Sequence, residues 1–264
     1  MSGLERIAEA FERARANGRR AALMPYMMAC FPDRERSEEI ARAYVDAGAD
    51  LIELGVPFSD PLADGPVIHA ADTAALRAGA TVHDALAVAA AIADRVPVVV
   101  MCYANPILTR GLERFADELA ELGAAGLIVP DLPLEEAPGV AADCEQRGLA
   151  LVPLVAPTTT DERLGRIGAA ARGFVYTVST MGTTGERAEL DGGLEAVIGR
   201  VRAHTDVPVA VGFGIGTPEQ ASDAADAGAD GVIIGSRLVR AAADTEDPAA
   251  AIGPLVRDFS LALR

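Results

Sequence analysis

The chain has 264 residues, of which 50% are hydrophobic, and a formal net charge of −16 at pH 7. It is long enough to bury a sizeable core, and its acidity argues against nucleic acid or an anionic membrane as a partner, because either would require a basic face. All 23 basic residues are arginine, so no lysine is available for a Schiff-base mechanism.

The spacing of the cysteines and histidines predicts no metal site, and the length of the apolar runs predicts no membrane span. Cys30, Cys102 and Cys144 form no Cys-x-x-Cys pair, and the three histidines are far apart, so we predict no disulfide framework and no metal. The N-terminal segment lacks the apolar core of a signal peptide, and no uncharged apolar run reaches roughly 18 residues. We therefore expect a cytoplasmic protein.

An amphipathic helix is predicted at the N-terminus, ahead of the first strand. Leu4, Ile7 and Phe11 recur at helical spacing, and Ser2 and Glu5 have the spacing of a capping box. This helix is additional to the repeated units that follow.

Short apolar segments then alternate with helical patterns. The segments begin near residues 22, 50, 97, 126, 150, 173, 207 and 231, and the helical patterns cover 36–47, 81–94, 111–123, 135–147, 160–171, 191–204, 217–228 and 236–243. This alternation predicts a parallel sheet covered by helices, either an open doubly wound sheet or a closed barrel. Eight units in about 250 residues favour a single-domain (β/α)8 TIM barrel over residues 1–264. The sequence Ala-Gly-Ala-Asp, at 47–50 and 227–230, precedes a strand twice, which fits a barrel of repeated units.

Extra chain length is concentrated after the second and sixth strands. The strand starts there are 97 − 50 = 47 and 207 − 173 = 34 residues apart. The first insertion holds the segment 53–66 and a predicted helix at 67–78, and the second holds the polar, glycine-punctuated segment 179–186. Because barrel chemistry sits on loops after the strand C-termini, both segments are expected to be lids or binding segments.

The segment 53–66, ELGVPFSDPLADGP, carries two candidate catalytic acids. Glu53 belongs to a short apolar strand, where a charged carboxylate is costly to bury and is therefore normally paired, protonated or functional. Asp64 follows in the loop. The alternative is that Glu53 is a core acid satisfied by hydrogen bonds and that Asp64 is a turn residue before Gly65 and Pro66.

Glycines close the seventh and eighth strands and predict a phosphate site. GFGIG occupies 212–216, and Gly235-Ser236 opens a helix. Backbone N–H groups beside such glycines approach an anion closely, the helix N-terminus is positive, and barrels commonly hold a phosphate at this place. Barrel turns also need glycines without any ligand, which is the alternative. GFGIG lacks the context of a dinucleotide fingerprint, so no NAD is implied.

These motifs resemble the alpha subunit family of tryptophan synthase over essentially the whole chain. ELGVPFSDPLADGP is similar to the family signature, and MCYAN at 101–105, DLPLEE at 131–136, GFGI at 212–215 and GS at 235–236 follow in the family's order. The resemblance implies a carbon–carbon lyase that cleaves indole-3-glycerol phosphate to indole and glyceraldehyde 3-phosphate. It also implies a beta subunit that receives the indole in an α2β2 complex and holds pyridoxal phosphate, whereas this chain holds no cofactor.

The resemblance also implies roles for single residues. Glu53 and Asp64 match the catalytic acids, and Asp60 matches a contact with the beta subunit. The matched substrate-binding positions are Tyr26, Met101, Tyr103, Ile128, Leu154, Tyr176, Phe213 and Ile233. The matched phosphate-binding positions are Thr184, Gly185, Gly214, Gly235 and Ser236. The sequence departs from the family's usual residues at Tyr26, where phenylalanine is common, and at Thr183 in the second insertion.

Without a lysine imine or a metal, the electron sink of a retro-aldol cleavage has to be the indole ring itself, protonated at C3. We therefore expect Glu53, with a pKa raised by apolar surroundings, to move protons, and Asp64, ionised in a polar loop, to accept a hydrogen bond from N1–H. Rival functions are a free-standing lyase that releases indole, a non-catalytic phosphate-binding barrel that regulates a partner enzyme, and, more distantly, a sugar-phosphate isomerase.

Overall fold

Short parallel strands alternate with helices along most of the chain. In the computed structural model, residues 1–178, 193–212 and 214–264 are described. The strands are β1 Ala22–Met28, β2 Ile52–Gly55, β3 Val98–Met101, β4 Gly126–Ile128, β5 Ala150–Leu151, β6 Leu154–Val155, β7 Val175–Val178, β8 Val209–Gly212 and β9 Gly231–Ile234. The helices are α1 Gly3–Ala16, α2 Arg34–Asp46, α3 Pro66–Arg77, α4 Val82–Ala90, α5 Ala104–Arg110, α6 Leu112–Glu121, α7 Ala137–Gln146, α8 Asp161–Ala170, α9 Leu194–Arg202, α10 Pro218–Asp226, α11 Ser236–Ala243 and α12 Pro248–Ala262.

The strands form one parallel sheet in the order β5-β4-β3-β2-β1-β9-β8-β7-β6, and the chain itself joins its two ends. Val152 N–H donates to Leu127 O at 2.9 Å, and Pro153 O accepts from Tyr176 N–H at 2.9 Å. The fifth predicted strand is thus one segment divided in two, because proline has no N–H to continue the ladder. The predicted (β/α)8 barrel is confirmed.

Side chains alternate between the inside of the barrel and the layer under the helices. Along β1, Met24 and Tyr26 pack in the inner cluster, whereas Leu23 and Met27 pack in the outer one. This period of two follows from the pleat of a strand. It decides which strand residues reach the pocket at the C-terminal end of the barrel.

Helix α1 closes the opposite, N-terminal end of the barrel. Its Ile7 and Phe11 belong to the inner cluster, and the Phe11 ring lies 6.0 Å from that of Phe174. The predicted capping box is confirmed, since Glu5 N–H donates to Ser2 Oγ at 3.2 Å and Ser2 N–H donates to Glu5 Oε2 at 2.7 Å.

The two Ala-Gly-Ala-Asp repeats end in the same aspartate clamp. Asp50 Oδ2 accepts from Leu23 N–H at 2.8 Å, and Asp230 Oδ2 accepts from Val209 N–H at 2.9 Å. Asp50 is buried and also pairs with Arg19. Each aspartate thus ties the start of one strand to its neighbour, which keeps the pocket end of the barrel free for loops.

The structure contains two helices that the sequence reading did not predict, α5 and α12. Helix α12 buries Ile252, Val256 and Phe259 at helical spacing and packs against α2. The predicted helix at 67–78 is confirmed as α3. The second predicted insertion, 179–186, lies outside the described residues. No helix in the described part of the chain is both long and apolar enough to cross a bilayer.

Candidate active site

A pocket that is partly open to solvent lies at the C-terminal ends of the strands. Loops and helix starts that follow β2, β4, β8 and β9 form its rim. Its wall comprises Tyr26, Glu53, Ala63, Asp64, Ile68, Met101, Pro130, Leu154, Tyr176, Gly214, Ile215, Ile233, Gly235 and Ser236. Most of the residues predicted for the site therefore meet in one place.

Glu53 points into the barrel from β2. Its neighbours Ile52 and Leu54 pack in the outer cluster, so the alternation of the strand turns Glu53 inward beside its register partner Tyr26. The side chain is 2% exposed, and its Oε2 has no hydrogen-bond partner among the described residues. Burial, reinforced by the charge of Asp64, raises the pKa of Glu53 to about 8. A pKa of about 8 keeps Glu53 mostly protonated at neutral pH.

Asp64 is held by a tyrosine from a different loop. Tyr103 O–H donates to Asp64 Oδ2 at 2.9 Å and accepts from Ala63 N–H at 3.1 Å. Burial raises the pKa of Asp64 to about 6, although the Tyr103 hydrogen bond and nearby His69 lower it. The sequence predicts a polar loop around Asp64, whereas in the structure Asp64 is half-buried. At pH 7 it is still mostly ionised.

Tyr26 and Tyr176 place hydroxyl groups inside the barrel. Both are buried, and burial raises both pKa values well above 10. The Tyr26 hydroxyl has no hydrogen-bond partner in the described part of the chain. It fits only because residue 55 is glycine: a Cβ there would lie 2.8 Å from Tyr26 Cζ and closer still to the hydroxyl oxygen.

The rim after β8 and β9 has the features of an anion site. Gly214 has φ +90, a conformation that favours glycine, and its loop is fixed by Gly216 N–H, which donates to Gln220 Oε1 at 2.7 Å. Helix α11 begins at Ser236 on the pocket wall. The first N–H groups of a helix have no intrahelical acceptor, so this end attracts anions.

Several predicted residues lie elsewhere. Tyr103 and Ile128 are buried beside the pocket rather than on its wall. Asp60 is exposed on the loop after β2. Thr184, Gly185 and Phe213 fall outside the described residues, as does Thr183. Their roles stay predictions.

The wall also holds four residues that the sequence does not predict, Ala63, Ile68, Pro130 and Ile215. A further unpredicted residue, the buried Asp72, lies beneath the first insertion. Nothing in the residue type or spacing of the four wall residues distinguishes them in the sequence. Asp72 could have been found, because an acid at position 72 interrupts the apolar face of helix α3.

Comparisons with known proteins agree with this geometry. The family model of the tryptophan synthase alpha chain matches residues 11–254. The tryptophan synthase alpha chain of Prochlorococcus marinus is 48% identical over 236 residues, covering 89% of this chain and 86% of the relative. A tryptophan synthase structure from Mycobacterium tuberculosis matches with a TM-score of 0.92 at 43% identity, covering 98% of each chain. The tryptophan synthase alpha chain of Legionella pneumophila matches with a TM-score of 0.88 at 36% identity, covering 100% of this chain and 97% of the other. The chain therefore belongs to the tryptophan synthase alpha chain family, whose members are lyases of tryptophan synthesis.

Proposed function

We propose that this chain is the alpha subunit of a tryptophan synthase and cleaves indole-3-glycerol phosphate to indole and glyceraldehyde 3-phosphate. The observation that carries the proposal is the pair of carboxyl groups on one pocket, Glu53 fully buried and Asp64 bonded to Tyr103. Their pKa values of about 8 and about 6 provide one protonated and one ionised acid at neutral pH. Such a pair separates the roles of proton donor and charge stabiliser.

Glu53 moves the protons. It donates its proton to C3 of the indole ring, which places positive charge on N1–H. The resulting carboxylate removes the proton from the hydroxyl of the glycerol carbon bonded to C3. The bond between that carbon and C3 then breaks, the hydroxyl oxygen becomes the aldehyde oxygen, and the electron pair returns the ring to neutral indole. Glu53 ends the cycle protonated again.

Asp64 stabilises the charged ring. Its ionised carboxylate accepts the hydrogen bond from N1–H while the ring carries positive charge, and partial burial of the carboxylate strengthens this interaction. The Tyr103 hydroxyl keeps the carboxylate oriented and ionised. Asp64 thus acts in the transition state and not only in substrate binding.

The remaining wall residues divide between the ring and the phosphate. Met101, Leu154 and Ile233 supply apolar surface for a planar ring, and Tyr176 offers a hydroxyl to the glycerol chain. The phosphate lies against Gly214, Gly235 and Ser236 at the start of α11. The family resemblance adds Thr184 and Gly185 to the phosphate-binding residues, and Ile128 and Phe213 to the residues that bind the ring.

The reaction requires no cofactor in this chain, because the substrate's own ring accepts the electrons. Pyridoxal phosphate belongs to the beta subunit, which receives the indole in an α2β2 complex. The matched solved structures are of tryptophan synthase, and the loop that carries Asp60 also exposes Leu62, which is 82% exposed. This loop is the surface that we assign to the beta subunit. We place the complex in the cytoplasm, a location that cell fractionation tests.

An indole-release assay on the purified chain tests the proposal. Glu53→Gln and Asp64→Asn should each lower kcat by ~10² to 10⁴, while Glu12→Gln, at an exposed acid of α1, should match the wild type. Activity within tenfold of the wild type would remove that residue from the mechanism. Addition of a beta subunit should raise the cleavage rate, and equal rates with and without it would favour a free-standing lyase.

A further inference from the structure

A third carboxyl group lies beneath the loop that carries Asp64. Asp72 belongs to α3 and is 1% exposed, on a helix face shared with Ile68, Ala71 and Ala75. Its Oδ1 accepts from Phe58 N–H at 3.0 Å, and its Oδ2 has no hydrogen-bond partner among the described residues. Burial raises the pKa of Asp72 to about 7, and the charge of Asp64 adds to this rise, although the Phe58 hydrogen bond lowers it.

This burial is unfavourable for folding, which points to another role for Asp72. An acid with one satisfied oxygen on an apolar helix face destabilises the fold relative to an apolar residue of the same shape. Within the part of the chain that the structure describes, the hydrogen bond of this carboxyl group goes to the backbone of the loop 58–64. An acceptor at this position therefore acts on that loop, because it holds the Phe58 N–H.

From Phe58 the contacts lead directly to Asp64. The Phe58 ring stacks on Tyr103 with centroids 5.0 Å apart and an interplanar angle of 23°. The hydroxyl of the same tyrosine donates to Asp64 Oδ2 at 2.9 Å and accepts from Ala63 N–H at 3.1 Å. Asp72 thus holds one end of the loop 58–64, Tyr103 holds the other, and the ring stack joins the two.

The middle of the loop is mostly exposed. Ser59, Asp60 and Leu62 are exposed, whereas Pro61 is buried and its carbonyl accepts from Asp64 N–H at 3.1 Å. This bond lies within the loop, so the hydrogen bonds from Phe58 to Asp72 and from Tyr103 to Asp64 are the ones that tie the loop to the elements beneath and beside it.

We infer that Asp72 is a positioning residue, whose acceptor oxygen on Phe58 N–H fixes the loop 58–64 and thereby the carboxylate of Asp64. The effect on cleavage rests on the function proposed above. The effect on the loop does not, because it concerns a backbone hydrogen bond.

Two substitutions of similar shape separate the acceptor from the charge. Asp72→Asn keeps an oxygen for Phe58 N–H, whereas Asp72→Leu presents a methyl group in its place. We expect Asp72→Leu to lose amide-exchange protection at Phe58 and to lower kcat by about 10- to 100-fold, because a displacement of roughly 1 Å has an effect of this size. KM should change less than threefold, since the ring and phosphate contacts lie elsewhere. Asp72→Asn should keep both protection and kcat within about threefold of the wild type.

Thr73→Ala, one residue further along α3, is the matched control and should match the wild type. Should Asp72→Leu fail to fold, Asp72→Ala removes the same acceptor without added volume. A folded variant without the acceptor that keeps wild-type kcat or wild-type exchange at Phe58 overturns the inference. Asp72→Asn with kcat as low as Asp72→Leu also overturns it. A wild-type chain that releases no indole refutes the proposed function instead, and the exchange measurement still decides the role of Asp72.

Discussion

Replacing Tyr103 with phenylalanine should shift the acidic limb of the pH profile of cleavage. Tyr103 donates to Asp64 Oδ2 at 2.9 Å. Burial raises the pKa of Asp64 to about 6, and this bond keeps the rise smaller than burial alone would make it. A hydrogen bond to a charged group contributes roughly 1.5 to 3 kcal/mol, and about 1.36 kcal/mol corresponds to one pKa unit. Phenylalanine keeps the ring stack with Phe58 and removes only the hydroxyl. We therefore expect the pKa of Asp64 to rise by at least about one unit.

The sign of the change follows from the protonation states that cleavage requires. Asp64 must be ionised, so wild-type kcat falls below a pH of about 6, and Glu53 must be protonated, so kcat falls above a pH of about 8. In Tyr103→Phe the acidic limb shifts towards neutral pH while the basic limb keeps its place. With a shift of about one unit, the ionised fraction at the original midpoint falls about fivefold, and kcat falls with it.

Initial rates of indole release at saturating substrate, measured from about pH 5 to about pH 10, provide the test. Tyr44→Phe is the matched control, because the Tyr44 hydroxyl is also buried and donates to Tyr26 O at 3.1 Å, but from the helix side of the barrel. An acidic limb that stays in place or shifts to lower pH in Tyr103→Phe would refute the assignment of that limb to Asp64.

Three further predictions concern stability. Glu53→Gln should be more stable than the wild type at pH 9 by up to about 5 kcal/mol and equal to it at pH 4. Burial raises the pKa of Glu53 from 4.5 to about 8, and at about 1.36 kcal/mol per unit this rise destabilises the folded state only above the unfolded pKa. A difference in urea denaturation that does not depend on pH would contradict this. Gly55→Ala should lose about 1 to 3 kcal/mol through overlap with Tyr26, and Tyr26→Phe should recover part of the loss; an additive double-mutant cycle would argue against the overlap. Asp50→Ala should lose about 3 to 5 kcal/mol, because it removes the acceptor of Leu23 N–H and leaves the partly buried Arg19 without its carboxylate partner, with KM unchanged. A loss below about 1 kcal/mol would count against the clamp.

The barrel could be predicted because its strands are continuous apolar runs and its helices are amphipathic. The same local pattern, Ile52 and Leu54 on either side of Glu53, predicts the inward direction of that acid once a buried strand is assumed. The sequence predicts the fifth strand as one segment, although Pro153 marks the position where its ladder divides. Helix α12 is not predicted, despite the helical spacing of Ile252 and Val256.

The surroundings of Asp64 could not be predicted from its own loop. They depend on Tyr103, which follows β3 and is 39 residues away in the chain. Contacts between two loops leave no period in the sequence, so the partial burial of Asp64 and its raised pKa emerge only from the structure. Asp72 could be predicted in part, since its position on an apolar helix face is visible in the sequence but its hydrogen bond to Phe58 is not.

The central claim is that one pocket holds a protonated Glu53 beside an ionised Asp64 at neutral pH. Carbon-13 NMR titration of the two carboxyl groups, assigned with Glu53→Gln and Asp64→Asn, measures this directly. The expected midpoints are about 8 for Glu53 and about 6 for Asp64. A midpoint for Glu53 at or below that of Asp64 would contradict the division of roles between the two acids.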